Sequence, residues 1–408
     1  PEVVGNRWAD IWRARLAAEP MLLETWLRHQ RRDDYWKHGS ICEDWSAIEC
    51  PVWMIAGWAD GYRNTPATIA AHLKAPVKAM TGPWIHKYPH FAWPKPRADF
   101  HALSIDWWKQ WLCDEPRRVE DWPDHQVFRV NSARPRRWRD ADEGTWLGTK
   151  NSSLVDVSDL NLGALGVLGG EGSSPVHVAT PQHCGVMAGE YFTTVPDAQM
   201  PADQRWDDAL SVCWETPRLD APVDILGRPV LSVTVSLDQP QGNLIARLVD
   251  VHPDGTSALI ARGVLNLCYA ERQSDPSAIV PDQPMQYSLK LDETCYRVLP
   301  GHRLRLAVST TYWPMVLPSP APVVAMLVSG VLHLPLAQDA TEIEVPQPDR
   351  DDLLPVYPSL EAGSSRRTVE HDLNAGRVRY SISEDTGETE HPRHAMRSRE
   401  TRDEVWEI

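Results

Sequence analysis

Apolar positions follow a different rhythm in each stretch of the chain, and each rhythm predicts its own kind of element. In residues 1–48, Trp8, Ile11, Trp12 and Leu16 recur at helical spacing, and beyond Pro20 a second stripe forms from Met21, Leu22, Trp26 and Leu27. Arg28 to Asp34 reads as a charged, solvated turn. From Val52 to Ala56 the pattern changes to a continuous apolar run that favours a strand and ends in Gly57-Trp58-Ala59-Asp60-Gly61. A helix-like segment, Thr65 to Leu73, follows. A second apolar run, Val77 to Thr81, stops at Gly82-Pro83 and delivers Trp84, Ile85 and His86. Ala98 to Leu112 predicts another helix, with Phe100, Leu103, Trp107, Trp108 and Trp111 mainly on one side. Alternation of strand and helix in residues 49–118 is an α/β pattern.

After Glu115-Pro116 the pattern turns to β. Val127 to Val130 reads as a short strand, and residues 131–209 are rich in Gly, Ser, Pro and Asp with few periodic runs. Gly163 to Gly172 matches no phosphate-binding fingerprint and reads as a surface loop. From Ser211 onward short strands come regularly: Val230–Leu237, Leu244–Val251, Ala258–Leu267, Gln286–Leu291, Arg303–Ser309 and Val323–Leu334. His252-Pro253-Asp254-Gly255-Thr256 between two of them is a hairpin signal. Many short strands with turn punctuation predict a β-sandwich. A Pro/Asp linker, Val345 to Asp352, precedes a charged tail in which Asn374-Ala375-Gly376 predicts one more hairpin, between Arg366–Leu373 and Arg377–Ile382.

The candidate chemistry lies in the α/β part. Asp60 and His86 both fall just past the carboxyl ends of predicted strands, where ligands collect in open α/β sheets. A histidine acting as general base needs a carboxylate on its other nitrogen to fix the tautomer and stabilise the imidazolium. Acid before histidine is the chain order of α/β-hydrolases. An Asp before Gly is also a common turn residue, and a lone His is commonly a satisfied surface residue, so the residues by themselves leave both readings open. His86 and His90 are four apart, but Pro89 between them opposes the helix that a metal pair at this spacing needs. No metal or cofactor is expected.

Composition narrows the field. With 41 basic and 56 acidic residues the formal net charge is −15, which argues against a nucleic-acid groove or an anionic membrane as partner. The most apolar region, Trp313 to Leu336, is broken by Pro314, Pro318, Pro320, Pro322 and Pro335 and reads as loop and strand, not as a membrane span. Seven cysteines at wide spacings without a C-x-x-C fit free thiols in a reducing compartment better than a disulfide frame, so a cytoplasmic setting is expected. Nineteen Trp against four Phe is unusual; core packing is the default for each.

PVWMIAGWADGY, the following GPWIH and the preceding DDYWKHGSICEDWSAI resemble the CocE/NonD hydrolases, the serine acyl hydrolases that include cocaine esterase, α-amino-acid ester hydrolases and the Xaa-Pro dipeptidyl-peptidase (S15) relatives. The resemblance continues to about residue 336 through ILGRPVL, LIARLVDVHPDG, GVLNLCY and PGHRLRLAVSTTYWPM. It implies that Asp60 is the triad acid, that His86 is the triad histidine, and that Tyr62 lines the acyl pocket. It also implies a partial α/β-hydrolase fold with a C-terminal jelly-roll sandwich. On that basis residues 1–48 are the end of a helical cap, 49–118 the last part of the hydrolase domain, 119–345 the jelly roll, and 346–408 a charged tail that looks truncated.

One part of the family pattern is missing. The nucleophile of the family is a Ser in a G-x-S-x-G elbow upstream of the acid. Upstream of Asp60 stand only Ser40 and Ser46, in HGSICE and DWSAI, and the later Ser173, Ser329 and Ser364 sit in no elbow either. The early loop that supplies an oxyanion-hole Tyr in the family is also absent. The chain therefore reads as the C-terminal two-thirds of a serine hydrolase for a small ester or a peptide/amide substrate. Its Ser is expected from an N-terminal segment or a separate subunit, and this chain alone is expected to be inactive. The alternative is a catalytically inactive sandwich module for binding or assembly. Ester against amide preference and homo-oligomer formation stay open.

Overall fold

The structure is a computed structural model that describes residues 3–150, 156–194, 199–338, 340–349 and 357–408. Helices α1 (Trp8–Ala18), α2 (Leu22–Arg28) and α3 (Asp34–His38) open the chain. Asp33 caps α3 by accepting a hydrogen bond from the Tyr35 amide at 3.1 Å. The expected apolar stripes are present but do not pack into a core. Trp8, Trp12, Leu16, Met21, Trp26 and Leu27 are exposed, and none of the three helices buries a residue.

The α/β part follows the predicted order. Strand β1 (Val52–Gly57), helix α4 (Thr65–His72), strand β2 (Val77–Gly82), helix α5 (Phe100–Leu112) and strand β3 (His125–Asn131) place three parallel strands side by side. Pro66 occupies the first turn of α4, where its missing N–H costs nothing. Asp99 caps α5 through the Ala102 amide at 3.0 Å. The helix lays Leu103 and Trp107 on the sheet, and Trp53 of β1 meets the rings of Phe100, Trp107 and Trp122. Trp108, expected with that face, points outward and is exposed.

The β part is larger than the sequence suggested. Strands β4 (Gly144–Thr149), β5 (Asp156–Asn161) and β6 (Val176–Ala179) and helix α6 (Arg205–Ala209) come from the Gly/Ser/Pro-rich stretch, whose periodicity is too short to read, and strand β7 (Val212–Glu215) follows it. The sandwich proper adds β8 (Val223–Gly227), β9 (Val230–Leu237), β10 (Asn243–Val251), β11 (Ser257–Asn266), β12 (Met285–Lys290), β13 (Thr294–Val298), β14 (Arg303–Ser309), β15 (Val324–Leu336) and the short β16 (Thr341–Glu342). One sheet runs β1-β2-β3-β13-β8-β15-β9-β12, with β4 and β16 branching from β3 and with β5 and β6 on β15. The other runs β11-β10-β14-β7. Leu231, Val233 and Val235 of β9 and Leu327 and Leu332 of β15 close an apolar core with Leu244, Ala246 and Leu248 of β10 and Leu304, Leu306 and Val308 of β14. Every residue of β10 is buried. Its outer face carries Arg247, paired at 2.8 Å with Asp208 of α6.

Two expectations are corrected here. The segment Gly163–Gly172 is not simply a surface loop, because Leu162 and Leu168 pair with each other and are buried in the core. The region after the linker holds more than a hairpin. Strands β17 (Ser364–Asp372), β18 (Arg377–Asp385) and, beyond the short pair β19 (Thr389–His391) and β20 (Met396–Ser398), β21 (Thr401–Glu407) form a three-stranded antiparallel sheet. Val378, Tyr380 and Ile382 of β18 pack with Val186 and Trp313. Part of the expected linker Val345–Asp352 lies outside the described residues.

Tyr380→Ala is expected to lower stability by about 3 kcal/mol, the usual cost of emptying a large aromatic site. Urea unfolding followed by tryptophan fluorescence measures it.

Candidate active site

The site is set where β1 and β2 end. Gly57 and Gly82 lie side by side in the parallel register. Just beyond them the two loops touch: the Trp58 amide donates to the Gly82 carbonyl at 2.9 Å, and the Ala59 amide to the Trp84 carbonyl at 3.0 Å. Only glycine fits at 57, where a Cβ would stand 2.0 Å from the Trp84 carbonyl oxygen. The Asp60 amide then turns back to the Gly57 carbonyl at 3.0 Å.

This turn brings Asp60 and His86 together. Asp60 Oδ2 and His86 Nδ1 are 2.9 Å apart, and Asp60 Oδ1 accepts from the Tyr62 amide at 2.9 Å. Asp60 is buried, whereas the His86 side chain is 46% exposed. A carboxylate held by a backbone amide and facing Nδ1 fixes the imidazole so that Nε2 is left for a proton transfer. Tyr62 also joins the group, its ring centroid 5.7 Å from that of His86. Ile55, Ala56, Lys87, Tyr88, Pro89 and Phe91 line an open cleft of about 370 Å³ with Asp60 and His86. A separate cavity of about 90 Å³, lined by Trp58, Arg63, Glu190, Arg262 and Tyr296 among others, touches neither of the two.

Several residues at the site escaped the sequence reading. The Phe192 ring lies 4.6 Å from that of His86, tilted to it, and 5.4 Å from that of Tyr62, edge to face, and the neighbouring Thr193 carbonyl accepts the His86 amide at 3.0 Å. The Tyr191 hydroxyl reaches the Gly61 carbonyl at 3.4 Å. This strap comes from the Gly/Ser/Pro-rich stretch. The available signal was a Phe in polar surroundings, in a chain with four.

The acid loop is also gripped from the sandwich. Arg63 Nε donates to the Asp60 carbonyl at 2.7 Å while its Nη1 meets Asp292 Oδ2 at 3.1 Å. Asn64 donates to Asp292 Oδ1 at 3.0 Å and accepts from the Glu293 amide at 2.7 Å. Burial pulls the Arg63 guanidinium below its usual range, and Asp292 opposes that pull. Glu293 is buried at the same joint, and burial pushes its carboxyl up to about 8, with Arg228 opposing.

A three-stranded parallel edge with helices, an Asp–His pair at its carboxyl end and an attached sandwich fit the α/β-hydrolase fold class. The profile of the X-Pro dipeptidyl-peptidase C-terminal non-catalytic domain matches residues 122–331, and that of the X-Pro dipeptidyl-peptidase (S15 family) matches residues 3–88. The chain belongs to this family, the S15 group that includes the CocE/NonD hydrolases. Cocaine esterase of Rhodococcus sp. (strain MB1 Bresler) is 23% identical over 321 residues, 72% of this chain and 54% of that protein. Among solved structures, an aminopeptidase from the marine sediment archaeon Thaumarchaeota archaeon superposes with a TM-score of 0.63 at 15% identity, covering 79% of this chain and 61% of that one. An α-amino acid ester hydrolase gives a TM-score of 0.62 at 16% identity, covering 79% and 62%. The chain thus spans between half and two-thirds of the length of these relatives. No helix among the described residues is long and apolar enough to cross a membrane.

Two outcomes test the joint between loop and sandwich. Asp292→Ala strands the buried Arg63 and is expected to cost about 3 kcal/mol in urea unfolding. Because the folded pKa of Glu293 lies above its ordinary 4.5, stability is full below about 4.5 and falls as pH rises toward about 8. Glu293→Gln should therefore match the wild type at pH 4.5 and exceed it by up to a few kcal/mol at pH 8, read from unfolding curves across that range.

Proposed function

We propose that this chain supplies the acid and the base of a serine acyl hydrolase whose nucleophile comes from outside these 408 residues. The observation that carries the reading is the Asp60–His86 contact at 2.9 Å on two hydrogen-bonded strand ends. In this reading Asp60 holds the histidine tautomer. His86 takes the proton of a Ser delivered by an N-terminal segment or a second chain, then returns it to the leaving alcohol or amine. Water clears the acyl-enzyme through the same base. The cleft and the rings of Tyr62 and Phe192 favour a small ester or peptide-like amide with an apolar acyl group. Residues 1–48 are assigned to the end of a cap, 49–118 to the hydrolase domain, 119–345 to the jelly roll and 346–408 to its C-terminal extension. All seven cysteines are free, which supports a reducing, cytoplasmic setting.

Rapid mixing with an activated nitrophenyl ester is the test. The 408-residue chain is expected to give no burst. The same chain with an upstream segment bearing a G-x-S-x-G elbow is expected to give a stoichiometric burst, and His86→Ala is expected to reduce its turnover about 10⁴-fold or more. Stoichiometric acyl-enzyme on the 408 residues by themselves would overturn the reading, as would full activity in the His86→Ala protein.

A further inference from the structure

At the β10–β11 hairpin end of the sandwich, three side chains with metal-binding chemistry converge. Asp250 is the penultimate residue of β10, His252 stands two residues on at the start of the hairpin to β11, and His302 immediately precedes β14. A spacing of two on extended chain puts Asp250 and His252 on the same face. The antiparallel pairing of Val251 with Arg303 brings His302 across from His252. All three side chains are buried, and their donor atoms lie within 4.8 Å of one another.

The contacts within the cluster are incomplete in one respect. Asp250 Oδ1 meets His302 Nδ1 at 2.8 Å, and Oδ2 accepts from the Tyr296 hydroxyl at 3.0 Å. His252 Nε2 lies 3.8 Å from Asp250 Oδ2, beyond hydrogen-bond reach. That nitrogen is buried and has no hydrogen-bond partner, although His252 is only 4% exposed. An orphaned buried nitrogen is costly and calls for an explanation. The His252 and His302 rings are 4.5 Å apart, and Arg134 and Asp254 are the further charges near His252.

We propose that Asp250, His252 and His302 bind one borderline divalent cation of the Zn²⁺ type, with the Tyr296 hydroxyl beside them as a fourth donor. Two imidazoles and one carboxylate suit Zn²⁺, Co²⁺ or Ni²⁺, whereas Ca²⁺ and Mg²⁺ want oxygen donors throughout. Ligands at about 2.1 Å around a tetrahedral ion stand roughly 3.4 Å from one another. The observed separations of 2.8 and 3.8 Å bracket that spacing, so side-chain shifts of a few tenths of an ångström complete the shell. The ion gives His252 Nε2 its missing partner and neutralises the buried carboxylate. With every donor buried, the site is structural: it pins the β10–β11 hairpin to the start of β14.

The test uses the full 408-residue chain, stripped with chelator, dialysed against Zn²⁺ and counted by elemental mass spectrometry. About one ion per chain is expected, together with a rise in Tm on adding Zn²⁺. Co²⁺ loading should give the visible bands of a tetrahedral ion. His252→Gln and His302→Gln should each remove the ion, the bands and the Tm response. His252 Nε2 has no hydrogen bond to lose, so His252→Gln is decisive even where the His302 variant fails to fold. Less than about a tenth of an ion per chain in the wild type overturns the proposal. Equal occupancy in His252→Gln also overturns it, since the ion then sits on surface histidines. Neither result bears on the role of Asp60 and His86.

Discussion

The rest of the structure depends on how closely two strand ends approach each other. Gly57 and Gly82 must sit side by side with no side chain between them, because the Trp84 backbone crosses directly over Gly57. The approach lets the β1 loop hydrogen-bond to the β2 loop, and those bonds, not the side chains, set where Asp60 and His86 stand. The side-chain contact at 2.9 Å is then a consequence of backbone geometry. A site built this way is pre-organised: neither group gives up much rotamer freedom when a reaction needs it.

A loop held at one side only would still rock. Here it is held from three directions. The parallel sheet fixes its ends. Arg63 and Asn64 fix its middle to Asp292 and Glu293, which lead into β13. The strap at 191–193 lies over it and presses Phe192 on the imidazole. That strap is steadied in turn from the C-terminal sheet: Arg367 of β17 pairs with Glu190, and Tyr380 of β18 meets Trp313, whose amide donates to the Cys184 carbonyl. Buried ion pairs of this kind contribute more to fixing one arrangement than to net stability.

Much of this was legible in the sequence. The apolar runs of β1 and β2, each closed by Gly, announce parallel strands, and the Asp and His expected just beyond them stand in contact in the fold. The sandwich strands announce themselves by alternation, clearest in β9. The losses have physical causes. Strands β4 to β7 are four to six residues long and sit among turn residues, so too few alternations accumulate to be seen. Strand β21 carries Arg, Asp or Glu at four of its seven positions and is exposed along most of its length, so its pairing with β18 leaves little hydrophobic trace. Asp292, Glu293 and Phe192 reach the site only through contacts more than a hundred residues apart in sequence. No local pattern encodes such contacts.

The path of the large sheet gives the sandwich its meaning. β3 is parallel both to β2, which leads to His86, and to β13, which follows directly on Asp292 and Glu293. The hydrolase strands and the sandwich strands are therefore successive rungs of one hydrogen-bonded ladder, not two modules joined by a linker. Removing the sandwich would strip β3 of a partner, expose an unpaired edge, and release the acid loop from its clamp in the same event. The C-terminal domain of this family is described as non-catalytic, and that description concerns which groups touch the reacting atoms. It leaves room for the mechanical part seen here: the sandwich grips the Asp60 loop by a buried guanidinium–carboxylate contact and lays an aromatic ring against His86. A domain that does both is part of the framework of the candidate site.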